Sequence, residues 1–492
     1  MDILKSAIRL ERVVFQNFRC FEFLNLKLGA TDEQSGLTVI VAKNGQGKTA
    51  VLDGIRYLMS KFVARFSEIK TPSPKATDFR SAKIANPQSV NLKLRTVGAD
   101  GETRVVELGD GIAGVDVSAQ FMGLTAFMRK GGVESGSASE IPWVRWDVLR
   151  RKDKTELTTR VVDMAGMGIG TKFLSPYVDK FIESDLTAEP MVLPVIAYYG
   201  TDRRLVRQKP GPVNALSKAN RRQNIYNDAL TTGLNYRQLV EWIFKLDSKE
   251  LREMKDVKDT EYQSLEKRTI NLAISKMLPG FSNLQVTMNP LNLTIDYETN
   301  GLICTNLVDE QLSDGYKIVL TLVLDIVARI LEGNASLAGM TPETLLEVPG
   351  IVMIDEVDLH LHPYWQQTII PDLRNTFPNI QFIVTTHSPQ VVSSVPRECV
   401  RIIDAGNVRE TISQTDGVES QLILADIFGV NSVPEWNPWA RKLDEYSRLM
   451  SAPQVDAERE AALKAELTAH FGASYAPLKR IELIGGFKRK RS

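Results

Sequence analysis

Lys48 and Thr49 close the stretch Ala42-Lys43-Asn44-Gly45-Gln46-Gly47-Lys48-Thr49, whose residue types and spacing suit a bound polyphosphate. Gly45 and Gly47 let backbone amides turn inward around phosphate oxygens, and a helix starting there adds its dipole. Lys48 would reach the β- and γ-phosphates, and the Thr49 hydroxyl would ligate Mg2+. The pattern is G-x-x-x-x-G-K-[ST], with Ala42 where the first glycine stands; a methyl is tolerable there if φ stays negative. The alternative is a Gly-rich turn that holds nothing.

Three further stretches could serve the same site. Gly350-Ile351-Val352-Met353-Ile354 runs straight into Asp355, Glu356 and, after Val357, Asp358. Of the two adjacent acids, one can hold Mg2+ and the other can polarise a water. Taken alone, this is equally a strand ending in a solvated turn. Ile380–Val384 leads into Thr385-Thr386-His387-Ser388-Pro389, where His387 could contact a γ-phosphate or be structural. Leu312-Ser313-Asp314-Gly315-Tyr316 feeds a long apolar helix. Ser313 can simply N-cap that helix, or its hydroxyl, the backbone amides and the dipole can together hold a phosphate. His360 and His362 invite a metal reading, but no third ligand type clusters there.

A rigid frame has to carry these groups. Leu37–Val41, Val192–Tyr199, Gly350–Ile354 and Ile380–Val384 are continuous apolar runs, as in strands buried on both faces of a parallel sheet. Such sheets bind ligands at their carboxyl ends. Val51, Leu52, Ile55, Leu58 and Met59 space a helix directly after the glycine loop. Residues 8–28 alternate as two strands around a turn near Asn17–Cys20. Val90–Val97 with Thr103–Leu108 reads as one hairpin, and Trp143–Leu149 with Thr155–Val162 as another. Residues 224–278 are charged and helical, as Tyr236–Leu246 then Lys249–Met277, with Leu239, Trp242, Ile243 and Leu246 on one face. Strands return at Leu284–Met288 and Leu293–Tyr297, a helix covers Ile318–Leu331, and short helices at Gln421–Phe428, Pro438–Met450 and Ala457–His470 precede a basic end. The expected class is α/β: a mixed sheet with flanking helices, split in sequence, with an inserted helical subdomain and a small helical C-terminal region.

The chain has 492 residues, 43% apolar and 24% charged, which is ordinary for a globular protein of several domains. A formal net charge of zero means that any nucleic-acid partner must be recognised by a local patch. One candidate is Arg203, Arg204, Arg207, Lys209, Lys218, Arg221 and Arg222, a run without an acid; the bland reading is a solvated loop. Cys20, Cys304 and Cys399 lie far apart with no CxxC, which fits a reducing cytosol and small buried side chains. No signal peptide is visible, and Asp325 and Arg329 interrupt the longest apolar stretch, so a cytoplasmic protein is expected.

In order along the chain, these parts resemble the ABC-type ATPase heads of the RecF, SMC and OLD groups. Val-Phe-Gln-Asn-Phe-Arg-Cys-Phe-Glu (14–22) resembles their N-terminal strand, AKNGQGKT their Walker A, LSDGY their signature, IVMIDEVDLHLHP their Walker B and D-loop, and VTTHSP their switch histidine. The signature departs from LSGGQ at Asp314 and Tyr316. LPVIAYYGTDRR, EVDLHLHPYWQ and LADIFGV…KLDEYSRLM resemble the PtuA-type ATPase of Septu defence systems, also found beside some retrons.

The resemblance implies ATP and Mg2+ as cofactors. It places Arg19, Lys43, Asn44, Gly45, Gln46, Gly47, Lys48, Thr49 and Ala50 at the nucleotide, together with Asp314 and Asp358. Ser313 and Gly315 would come from a second subunit, so a homo-oligomer, at least a head-to-head dimer, is implied. Glu356 would be the general base, Lys48 and His387 would stabilise the transferring phosphoryl group, and Thr49 and Asp355 would hold the metal. Implied boundaries are residues 1–205 and 283–430 for the two parts of the head, 206–282 for the insertion and 431–492 for the helical end. Four histidines and no acidic Toprim pattern leave no nuclease in the chain, so a separate HNH-type effector nuclease is the implied partner, with DNA or RNA contact by this chain left open and no membrane. The implied function is an ATPase controlling that nuclease in anti-phage defence. The rivals are a RecF-like DNA-repair ATPase and an ATP-bound scaffold that does not hydrolyse.

Overall fold

Strands made only of apolar residues have no face to give to water, so they collect at the centre of a sheet between other layers. The computed structural model describes residues 8–29, 36–66, 72, 78, 92–97, 103–108, 122–130, 143–150, 174–201, 222–231, 236–288, 291–299, 301–308, 311–430, 436–451 and 457–489. The chain divides into two compact units, Met1–Val418 and Glu419–Ser492.

The first unit begins with β1 (Ile8–Phe18), β2 (Phe21–Lys27), β3 (Leu37–Ala42), α1 (Lys48–Val63), β4 (Leu92–Val97), β5 (Thr103–Leu108), β6 (Met122–Lys130), β7 (Trp143–Arg150), α2 (Leu174–Ser184) and β8 (Val195–Tyr199). A 3-10 turn at Arg222–Tyr226 leads to α3 (Tyr236–Val257), α4 (Leu265–Met277), β9 (Phe281–Met288), β10 (Leu291–Thr299), β11 (Leu302–Val308), α5 (Asp314–Asn334) and α6 (Pro342–Leu346). Then come β12 (Gly350–Ile354), α7 (Pro363–Thr376), β13 (Ile380–Thr386), α8 (Pro389–Val392), β14 (Val400–Asp404) and β15 (Asn407–Arg409). The second unit holds α9 (Ser420–Asp426), α10 (Pro438–Ser451), α11 (Ala457–Phe471) and α12 (Ala476–Arg489).

The central sheet has the order β15-β14-β3-β13-β12-β8, with every pairing parallel except β14 with β15. β3, β8, β12 and β13 are buried along their whole length. β3 pairs with β13 and β14, and β8 with β12, so strands more than 150 residues apart in sequence build one sheet. This is the expected α/β architecture with a split mixed sheet; α3 and α4 lie between β8 and β9 in sequence, and α9–α12 follow β15.

A second, antiparallel sheet runs β2-β1-β6-β7. Buried side chains join it to the first. The Gln381 amide on β13 donates to the Leu10 carbonyl at 2.7 Å and accepts from the Leu10 amide at 2.8 Å. Phe15, Phe18 and Phe21 pack with α1 residues in the main core, Phe18 meeting Tyr57 edge-on at 6.2 Å. α4 starts at Ser264, whose hydroxyl accepts from the Lys267 amide, while Glu250 of α3 accepts from the Ser264 amide.

Several expectations are corrected. The partner of β7 is β6, which shows no strong alternation in sequence; residues 155–162 lie outside the described residues. His360 and His362 follow β12 outside any strand. His360 has φ 64°, and His362 Nδ1 accepts from the Tyr364 amide at the start of α7. Cys399 is buried, but Cys20 and Cys304 are exposed. The basic end belongs in part to α12, which runs through Arg489. Among the described residues no helix is long and apolar enough to cross a membrane.

Candidate phosphate and metal site

The carboxyl ends of β3, β12 and β13 lie side by side, because these strands are neighbours in register. Each delivers one piece of the site. β3 ends at Ala42, a strand residue with no positive φ, so the missing first glycine places no demand on the backbone. Gly45 and Gly47 then take φ of 78° and 97°, and Lys48 opens α1. A Cβ on Gly47 would overlap the Cys20 sulfur and the Phe21 ring, so the turn between β1 and β2 presses directly on the loop. Gln46 is fixed from the other side, its Oε1 accepting from the Ala405 amide at 3.0 Å.

The Lys48 ammonium is buried and donates to the Ala42 carbonyl at 3.1 Å, spanning the loop it would share with a phosphate. Burial lowers its pKa, and the charges of Glu356, Asp355 and Asp358 oppose that. Thr49 Oγ1 donates to Asp355 Oδ2 at 2.9 Å. Asp355 is 1% exposed, its other oxygen accepts from Thr385 Oγ1 at 2.6 Å, and its amide continues the sheet to the Tyr199 carbonyl. Glu356 turns out of the strand with φ 48°. Its amide donates to Thr385 Oγ1 at 2.7 Å. Asp358 accepts from Thr386 Oγ1 at 2.6 Å and, more distantly, from the His387 amide. Burial first, then the Lys48 charge, hold the His387 imidazole below its ordinary pKa. Lys48, Thr49, Asp355, Glu356, Asp358 and His387 therefore form one cluster.

A divalent cation fits this donor set. Mg2+ takes oxygens at about 2.0–2.1 Å in octahedral geometry, which puts neighbouring ligand oxygens about 2.9 Å apart. Thr49 Oγ1 and Asp355 Oδ2 are 2.9 Å apart, so both oxygens could ligate one cation once the Thr49 O–H turns away from Asp355.

The other expected residues are placed differently. Lys43 and Asn44 are exposed on the loop, whereas the Ala50 methyl belongs to the core, leaving only its backbone to face a ligand. Arg19, at φ 48°, gives its NH1 to Asp53 Oδ2 at 2.6 Å and its Nε to Asp78 Oδ1 at 3.0 Å. Ser313 occupies the N-cap position of α5, but its hydroxyl makes no capping hydrogen bond, so of its two readings the simple cap is the one the geometry does not show. Asp314 is exposed and lies 3.7 Å from Lys317. Gly315 abuts the His360 carbonyl, while Tyr316 packs edge-on against Trp365 and tilted against Phe281.

Of the basic run, only Arg222 is among the described residues, and it is structural. It pairs with Asp185 and donates to the Met191 and Gly333 carbonyls. Sequence reading gave no role to Thr385, Thr386, Asp53 or Asp78. The doubled threonine before His387 was the one visible signal for the first two.

Residues 12–279 match the model of the AAA domain family, and residues 220–393 match a second AAA domain model. A retron Ec83 probable ATPase from Escherichia coli is 37% identical over 225 residues, 45% of this chain and 40% of that protein. A Septu protein PtuA from Bacillus mycoides is 31% identical over 163 residues, 32% of this chain and 21% of that protein. The matched stretches thus span less than half of either relative. Among solved structures, an Smc head domain from Pyrococcus furiosus bound to part of ScpA has 13% identity and a TM-score of 0.43, covering 82% of this chain and 96% of that one. RecF has 12% identity and a TM-score of 0.35, covering 82% and 99%.

Proposed function

The chain belongs to the AAA domain family, and from that premise we propose that it binds ATP with Mg2+, hydrolyses it, and through its ATP state controls a separate HNH-type nuclease in defence against phage. The observation that carries the reading is the convergence of Lys48, Thr49, Asp355, Glu356 and His387 at the ends of three adjacent strands. The identity shared with retron and Septu ATPases supports the defence setting. Lys48 binds the β- and γ-phosphates, and His387 meets the γ-phosphate from the next strand. Mg2+ held by Thr49 and Asp355 would neutralise phosphate charge. Water adds to the γ-phosphorus as the bond to the β–γ bridging oxygen breaks, and Glu356 takes the proton of the water, giving ADP and phosphate. Ser313 and Gly315 of a second copy complete the site in a head-to-head dimer.

The test is steady-state hydrolysis beside nucleotide binding. Glu356→Gln should lower turnover about 10²–10⁴-fold while ATP binding persists, and Lys48→Ala should lose binding. Wild-type binding without turnover would favour the scaffold. Phage plating of cells carrying this chain with and without a co-expressed HNH-type nuclease tests the defence role, and unchanged plating together with autonomous DNA binding would favour a repair role.

A further inference from the structure

Thr385 touches both acids of the site at once. Its hydroxyl donates to Asp355 Oδ1 at 2.6 Å and accepts from the Glu356 amide at 2.7 Å. Its carbonyl accepts from the Val357 amide at 2.9 Å. Three successive residues after β12 are thereby held by one residue of β13.

The geometry at Glu356 explains why such a clamp is needed. A non-glycine residue at φ 48° is in the left-handed region, a strained conformation that persists only where surroundings over-determine it. Asp355 still follows the sheet, its amide bonded to the Tyr199 carbonyl of β8. One residue later the ladder ends, and the Glu356 amide bonds to a side-chain oxygen instead of a carbonyl. That exchange turns the chain out of the sheet and aims the Glu356 side chain.

The hydroxyl is fully committed. A threonine has one proton to give, and here Asp355 receives it, so Asp355 Oδ2 stays turned to Thr49. Accepting from Glu356 polarises the hydroxyl and strengthens its bond to Asp355. Thr385 is 0% exposed, so no water replaces it when the hydroxyl is removed. The adjacent Thr386 donates its hydroxyl to Asp358, so two successive residues of β13 hold acids of the neighbouring loop.

We propose that Thr385 is a positioning residue that sets the metal-facing oxygen of Asp355 and the direction of Glu356 through a single hydroxyl. The inference rests on the ATPase reading and deepens it. Thr385→Val is the informative variant, because valine keeps the β-branched shape and strand preference and deletes only the hydroxyl. Thr385→Ser restores the hydroxyl without the methyl.

The first measurement needs no turnover: calorimetric binding of a non-hydrolysable ATP analogue across a Mg2+ titration. Thr385→Val should bind the analogue without Mg2+ as wild type does, yet need about 10-fold more Mg2+ to reach the tight state. Hydrolysis should fall about 10–100-fold, as expected for a displaced base. Thr385→Ser should recover most of both. Equal Mg2+ dependence in valine and wild-type proteins, or serine as impaired as valine, overturns the proposal. Wild-type turnover and the Glu356→Gln control are read in parallel. A wild type that binds the analogue but does not hydrolyse ATP removes the ATPase reading, and the Mg2+ shift still decides the role of Thr385.

Discussion

Arg222 and Asp185 form an ion pair across the main core, with side chains 14% and 21% exposed. The same guanidinium donates to the Gly333 and Met191 carbonyls, so the end of α5 and the segment before β8 are tied through one residue. Arg222→Ala would leave Asp185 and two carbonyls without this donor. We expect a loss of roughly 2–4 kcal/mol in urea unfolding. The salt dependence of any DNA binding should not change, since this arginine is unavailable to phosphate. A variant as stable as wild type would show the pair to be dispensable.

The exposed hydroxyl of Ser313 makes no cap in its own chain, which suits a residue waiting for the phosphate of a second copy. Ser313→Arg should abolish hydrolysis while a single chain still binds ATP. Mixed with Lys48→Ala, it should recover part of the activity, because one of the two shared sites then has intact halves. Mixtures that co-assemble on a sizing column and stay inactive would count against the shared site.

Neutral His387 should make stability depend on pH. Its pKa is lowered by burial first and by Lys48 second, with Asp358, Glu356 and Asp355 opposing. As pH falls past the ordinary histidine value of about 6.5, the unfolded chain takes up the proton before the folded one does. The stabilisation is therefore complete above about pH 6.5 and is lost progressively down through the lower folded value. His387→Asn should flatten that acid limb in denaturation curves taken from about pH 5 to 8. An unchanged limb would assign the dependence to other groups.

Gly47 meets two demands at once, a φ of 97° and room for Cys20 and Phe21. Gly47→Ala should destabilise the protein by about 1–3 kcal/mol and weaken ATP binding together, because the loop and the β1–β2 turn must shift as one. Calorimetry and thermal melting of the same sample check both; weakened binding at full stability would point to the phosphate cradle alone.

The sequence by itself determined the strands and their chemistry. Continuous apolar runs marked β3, β8, β12 and β13, since burial on both faces tolerates no polar alternation. The acids, the lysine and the histidine stood at the ends of those runs, where carboxyl edges gather ligands. What tertiary structure alone decided was pairing. β7 joins β6 because strand partnership depends on which faces meet, and local pattern does not encode that. Arg222 fell inside a basic run and reads there as a phosphate contact, but a charge shows its role only when its neighbours are known, and Asp185 is 37 residues away. Thr385 is the clearest case. A threonine in a buried strand is ordinary by type, and only the parallel register of β12 with β13 brings its hydroxyl between Asp355 and Glu356.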